Sequence, residues 1–189
     1  LSVEMNKTTL FITHDLDEAL RLGDRIAILK DGELVQQGTP EEILLNPATA
    51  YVEAFVKDVN RARALTVETV MKPPMCRISA ETIGGALEQM KQSADGYGYY
   101  FSDDGYQGVV LRKALEDAAR EAPERKMDAA MLQEISSVSP DALLEEVIPE
   151  TLDTDYPLPV IDEDGDLKGE LSRNCLAKVL GEPHSNEAA

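Results

Sequence analysis

Two hydrophobic periods alternate along the chain, and the points where one gives way to the other mark its elements. The apolar run Leu10-Phe11-Ile12 predicts a buried strand over about residues 8–13. Asp15, Asp17 and Glu18 follow and open a short helix over about 16–22, where negative charge favours the amino terminus. Runs at about 25–30 and 33–37, joined through Asp31-Gly32, read as a two-stranded hairpin. Thr39-Pro40-Glu41-Glu42 is a helix start, with a threonine cap, proline at the first helical position and carboxylates in the first turn. Asn46-Pro47 closes that helix. Tyr51, Val52, Phe55, Val56 and Val59 mark an amphipathic helix after it, and Arg61-Ala62-Arg63 reads as the join to the remainder.

Beyond residue 66 the pattern repeats. Ile78-Ser79-Ala80-Glu81-Thr82 is matched sixty positions later by Val138-Ser139-Pro140-Asp141-Ala142. The same offset pairs Ile83 with Leu143, Leu87 with Val147, Phe101 with Ile161 and Gly105 with Gly165. One extra residue in the second copy then pairs Gly108 with Gly169. Each copy reads as a short strand, a serine-capped helix, a strand, an Asp-rich turn with glycine, a second strand and a closing helix. Residues 122–133 read as a helix connecting the copies. Ile83, Ala86, Leu87 and Met90 fall at i, i+3, i+4 and i+7 and form one apolar face, as Leu176, Val179 and Leu180 do in the last helix. At about 55 residues neither copy has enough apolar surface to stand comfortably alone. Two copies back to back, burying their shared faces, is the expected arrangement.

Charge and composition narrow the functions. The 189 residues carry a formal charge of −18, which argues against binding nucleic acid or an anionic membrane face. The excess is uneven: residues 131–189 hold 3 basic and 14 acidic side chains, −11 of the total. No apolar run approaches the roughly 20 residues needed to cross a bilayer, so direct membrane insertion is not expected. The amino terminus has neither the basic segment nor the apolar core of a signal peptide. Cys76 and Cys175 lie far apart in apolar surroundings, which reads as two buried free thiols rather than a disulfide or a metal site.

Residues 9–45, and above all the string ITHDLDEALRLGDRIAILKDGELVQQGTPEEIL, resemble the switch-histidine region of ABC transporter ATPases. The wording is most similar to the glycine betaine/proline (osmoprotectant) importers. The resemblance implies an α/β remnant of a RecA-like ABC ATPase core over residues 1–60, with His14 as the switch histidine. In the family this histidine contacts the terminal phosphate of ATP and aligns the attacking water, a role that suits imidazole near neutral pH. The glycine-rich phosphate loop, the LSGGQ-like signature and an apolar strand ending in Asp-Glu do not occur in this sequence. In the family they precede the switch histidine. The chain is therefore expected to be the carboxyl-terminal portion of a larger ATPase that uses ATP and magnesium. By itself it is expected to bind neither and to hydrolyse nothing.

The β-α-β-β-α duplication resembles a tandem CBS module of α+β class, with copies over 66–122 and 130–182 and a disordered tail over 183–189. Thr69-Val70-Met71, Pro157-Leu158-Pro159-Val160-Ile161-Asp162, Asp164-Gly165 and the two closing glycines carry the resemblance. In nucleotide-binding CBS domains the closing strand runs Gly-h-h-Thr/Ser-x-x-Asp, with the hydroxyl on a phosphate and the Asp on ribose hydroxyls. Here Ala114 and Cys175 occupy the two Asp positions, and Leu111 replaces the first hydroxyl. Ser172 reads as a helix cap; with Arg112 and Arg173 it stays a candidate for meeting an anion. His184 sits in a polar tail and is assigned no role. Tyr97, Tyr99 and Phe101 alternate along one strand as in ordinary packing or a dimer contact, while Gly96 and Gly98 leave room for a ligand.

The resemblance implies a parent that couples ATP hydrolysis to uptake of glycine betaine or proline through a separate permease subunit. The chain would lie at the cytoplasmic face of the inner membrane and pair with a second copy through its CBS module. Ionic strength is the preferred regulatory signal, given the missing ribose-binding carboxylates and the acidic last third. A nucleotide-sensing module (cyclic di-AMP or an adenine nucleotide) and a purely structural dimerisation domain stay open as alternatives.

Overall fold

In the computed structural model, which describes residues 8–91, 93 and 96–181, the chain divides after Leu65 into two compact units. The expected tail over 183–189, with His184, lies outside the described residues.

The first unit is a hairpin accompanied by short helices: α1 (Leu16–Leu22), β1 (Ile26–Lys30), β2 (Glu33–Gly38), α2 (Pro40–Leu45), α3 (Ala50–Val56) and α4 (Arg61–Ala64). Asp31 (φ 52°) and Gly32 (φ 84°) supply the two positive φ angles that a tight hairpin turn needs to match strand twist. Thr39 and Glu42 cap α2 reciprocally. Thr39 N–H donates to Glu42 Oε2 at 2.9 Å, and Glu42 N–H donates to Thr39 Oγ1 at 3.3 Å. Leu20, Ile26, Ile28, Ile43, Leu44, Val52 and Val56 are buried. Arg61-Ala62-Arg63, read as the join, lies in α4 just ahead of the division after Leu65, and the cap of that helix, Asn60, accepts from Ala62 N–H at 3.1 Å.

The strand expected over 8–13 does not form. Leu10 and Ile12 are 88% and 87% exposed, and among the described residues β1 and β2 pair only with each other. A strand exists by its ladder to a neighbour, and none is offered here. With an antiparallel hairpin as its sheet, the described part of this unit does not display a RecA-like α/β core.

The second unit holds the duplication. Its first repeat comprises β3 (Arg77–Ile78), α6 (Ile83–Met90), β4 (Tyr97–Ser102), β5 (Gly105–Leu111) and α7 (Arg112–Glu121), after the one-turn helix α5 (Val67–Val70). After β6 (Leu132–Gln133), which joins the first repeat's sheet beside β5, the second comprises α8 (Leu144–Asp153), β7 (Leu158–Ile161), β8 (Leu167–Leu171) and α9 (Arg173–Leu180). In both, the outer pairing is parallel (Ile78 with Tyr100, Val138 with Val160) and the hairpin antiparallel, with an irregularity at Tyr100/Phe101 and again at Val160/Ile161.

Each repeat is completed by the segment that leads into the other. Val67 N–H donates to Ala142 O at 2.9 Å, and sixty positions on Met127 N–H donates to Glu81 O at 2.8 Å. Lys72 pairs with Glu170 on β8, while Leu132 and Gln133 pair with Val110 and Val109 on β5. The closing glycines permit this. A Cβ on Gly108 would stand 2.7 Å from Gln133 O, and one on Gly169 would stand 2.6 Å from Lys72 O.

Two local expectations are corrected here. Residues 122–133 are not a connecting helix, because their backbone groups are spent elsewhere. Pro123 O and Arg125 O accept from Gly84 and Ile83 N–H, and the chain then makes a 3₁₀ turn at Ala129–Met131 and enters β6. Nor do serines cap the first helices. Thr82 caps α6, accepting from Gly85 N–H at 3.2 Å, and Glu146 reaches back to Leu143 N–H at 3.2 Å on α8.

Strand alternation sends β4 and β5 to two cores. Ile78, Ile83, Ala86, Met90, Val110 and Leu115 pack on the helix side. Tyr99, Phe101 and Val109 face the other way, with Tyr97, Ile135, Tyr156, Ile161 and Leu167 against them. This second cluster draws on both repeats and is the shared face.

Candidate functional site

His14 lies exposed in the bend just before α1. The turn beside it is held by Thr13 and Asp15. Thr13 Oγ1 accepts from Asp15 N–H and donates to Glu18 Oε2, both at 3.0 Å, and Asp15 Oδ1 accepts from Glu18 N–H at 3.1 Å. Asp15 and Glu18 thus serve the helix start, where Asp17 adds negative charge in the first turn.

In the second unit, the candidates at the ends of the closing strands do structural work. Arg112 donates through Nη2 to Met90 O at 2.8 Å and also to Ser93 O. One repeat later Arg173 Nη2 donates to Leu152 O at 2.8 Å and Thr154 O at 2.7 Å. Each arginine ties down carbonyls at and beyond the carboxyl end of the helix before it, where backbone acceptors lack intrahelical partners. Ser172 caps α9, accepting from Cys175 N–H at 3.3 Å. Cys175 is buried and Ala114 half-buried, so neither strand end carries a carboxylate for ribose. Cys76 and Cys175 are both free and buried. Burial pushes the Cys76 thiol up, against the pull of Arg112.

A polar cluster that the sequence reading passed over sits in the shared face. Glu170, 5% exposed, accepts from Tyr97 Oη at 3.1 Å on each carboxylate oxygen and from Tyr99 Oη at 3.0 Å. Tyr99 Oη also lies 3.2 Å from Pro157 O, and Met75 N–H points at Glu170 Oε2 at 3.4 Å. Burial first, and the Glu170 charge second, hold the Tyr99 phenol protonated far above its ordinary range. It stays a donor at any physiological pH. Neighbouring Tyr106 has a buried hydroxyl without a hydrogen-bond partner, and burial likewise raises its phenol. The one available signal was Glu170 itself, an acidic residue where the strand pattern Gly-h-h asks for an apolar one.

The acidic excess lies at the surface. Glu145, Glu146, Asp153 and Asp155 are all exposed on and just beyond α8. At the turn after β7, Lys168 Nζ sits 2.8 Å from Asp162 Oδ2, which lowers the carboxyl and raises the amine. Among the described residues no group of three or more His, Cys, Asp or Glu side chains could hold a metal, and no helix is long and apolar enough to cross a membrane.

Comparison with known proteins agrees with this geometry. The CBS domain family matches residues 127–182. The glycine betaine transport ATP-binding protein OpuAA of Bacillus subtilis is 37% identical over 93% of the chain. The glycine betaine/carnitine transport ATP-binding protein GbuA of Listeria monocytogenes is 34% identical over 95%. The glycine betaine/proline betaine transport ATP-binding protein ProV of Escherichia coli is 32% identical over 95%. The chain spans 42%, 45% and 46% of the length of these three relatives. Among solved structures, a CBS domain pair/ACT domain protein from Thermotoga maritima superposes with a TM-score of 0.50 at 18% identity, over 61% of this chain and 96% of that one. A CBS domain-containing protein from Bacillus anthracis gives 0.52 at 18% identity, over 61% and 92%. These likenesses show the fold, a CBS domain pair.

Proposed function

Because the chain is homologous over 93–95% of its length to the ATP-binding subunits of glycine betaine ABC transporters, we propose that it is the regulatory portion of such a subunit. In this reading the whole subunit binds ATP and magnesium and drives uptake of a betaine- or proline-type osmolyte through a permease subunit at the cytoplasmic face of the membrane. Residues 1–60 belong to its ATPase core, and His14 meets the terminal phosphate of ATP only when the rest of that core is present. The two CBS repeats, 66–122 and 130–182, adjust activity while pairing with a second copy.

The regulatory signal is ionic strength. The observation that carries this is the combination of exposed carboxylates on and just beyond α8 with closing-strand ends that lack carboxylates. Glu145, Glu146, Asp153 and Asp155 face solvent, while Ala114 and Cys175 stand where ribose-binding carboxylates belong. Arg112 and Arg173 are engaged by backbone carbonyls. Raising salt from 0.01 to 0.1 M shortens the Debye length from about 30 to about 10 Å, which relieves repulsion among such carboxylates. The test is transport by the whole importer carrying Glu145→Gln, Glu146→Gln, Asp153→Asn and Asp155→Asn together. The salt midpoint of activation is expected to shift, and an unchanged midpoint overturns the reading. Micromolar binding of ATP, AMP or cyclic di-AMP to the 189-residue chain in calorimetry would replace it with nucleotide sensing.

A further inference from the structure

The two repeats follow one backbone course but differ in chemistry where they meet. Strand register makes Tyr97 and Tyr99 equivalent to Pro157 and Pro159, and Val109 equivalent to Glu170. The phenol–carboxylate cluster therefore has no counterpart at the register-equivalent positions, which hold two prolines and a valine; of these, Pro157 contributes to the cluster only its carbonyl oxygen, 3.2 Å from Tyr99 Oη. We propose that Tyr97, Tyr99 and Glu170 form a one-sided clasp: it locks one edge of the inter-repeat face, so that the repeats move as a hinge about that edge and part at the other.

The physical basis is the contrast between directional and non-directional contacts. A buried carboxylate is tolerable only while its donors stay in place, and charge-assisted hydrogen bonds are about twice as strong as neutral ones. An apolar contact has no preferred direction and lets surfaces slide while they stay covered. The clasp also anchors an arm. Lys72 N–H donates to Glu170 O at 3.0 Å, and Glu170 N–H donates to Lys72 O at 2.8 Å, so one residue fixes both the tyrosines and the segment that continues the chain from Leu65. The equivalent arm, ending at Gln133, pairs with Val109, whose side chain offers no polar tie. A signal that rearranges this module acts by moving the Gln133 arm about a stationary Lys72 arm.

Native-state hydrogen exchange on the 189-residue chain tests this. The Lys72 and Glu170 amides are expected to exchange about tenfold more slowly than those of Val109 and Gln133, because local opening follows the weaker edge. The variant Tyr97→Phe/Tyr99→Phe/Glu170→Val, which makes both edges apolar, is expected to erase that difference. Equal rates at the two edges of the unaltered chain, or a difference that survives the triple change, overturns the proposal. Should the triple variant not fold, Glu170→Gln keeps the shape and removes the charge. It is expected to speed Lys72 exchange about threefold while leaving Gln133 unchanged. An unchanged Lys72 rate would be equally fatal.

Discussion

Placed side by side, the two repeats of the second unit agree in everything that builds the backbone and disagree in what fills the space between them. Both keep a closing glycine under a crossing arm, an arginine on the carbonyls after the preceding helix, and a register irregularity at the same step of the hairpin. They part at the shared face, where one supplies tyrosines and the other a carboxylate. They part also at their turns and caps. Ser102 and Gln107 in the first repeat stand where Asp162 and Lys168 form an ion pair in the second, and Leu111 stands where Ser172 caps. Backbone geometry tolerates no substitute at a close approach, whereas a side chain facing a partner is free to specialise once its partner changes with it.

The glycines give the largest expected effect. A Cβ at either position meets a carbonyl oxygen at under 3 Å, and Gly108 also has φ +145°. Gly169→Ala is expected to cost about 2 kcal/mol from overpacking, and Gly108→Ala about 3–4 kcal/mol because backbone strain adds. Urea melts of the two variants check the order; equal costs would remove the role given to the backbone angle. Next come the arginines. Arg112→Ala and Arg173→Ala should each lose about 1–2 kcal/mol by removing a charged donor from the carbonyls around the preceding helix end. A much smaller loss in one of them would break the equivalence of the two repeats.

The smallest effect concerns pH and belongs to the second repeat alone. Asp162 is held below its ordinary value chiefly by its hydrogen bond from Lys168, so its contribution is present above the unfolded carboxyl pKa and is lost as pH falls through the lowered one. Lys168 is raised by the same pair, so its contribution is present below the unfolded amine pKa and fades as pH rises through the raised one. Asp162→Asn should flatten the acid limb of a stability-versus-pH profile slightly. A matching change in the first repeat, Ser102→Asn, should leave that limb unaltered.

Much of this architecture is legible in the amino-acid sequence. The capping box at Thr39 and Glu42, the turn at Asp31-Gly32 and the sixty-residue offset all rest on interactions between residues close in sequence, or on a repeated pattern. Three things are not. The run Leu10-Phe11-Ile12 has the composition of a strand, but a strand needs a neighbour, and composition does not supply one. The segment 122–133 has polar residues compatible with a helix, yet its carbonyls answer to Ile83 and Gly84, some forty residues back. Arg112 and Arg173 carry charge suited to an anion, but their position just past the strand aims them at carbonyls instead.

Amino-acid order alone determined most local elements, the duplication and the acidic balance, because each depends on residue type and spacing along one chain. Which arm completes which repeat, and the burial of Glu170 beneath two tyrosines more than seventy residues away, were decided only on folding. Such contacts arise from the meeting of two surfaces, and no periodicity within either surface records the other.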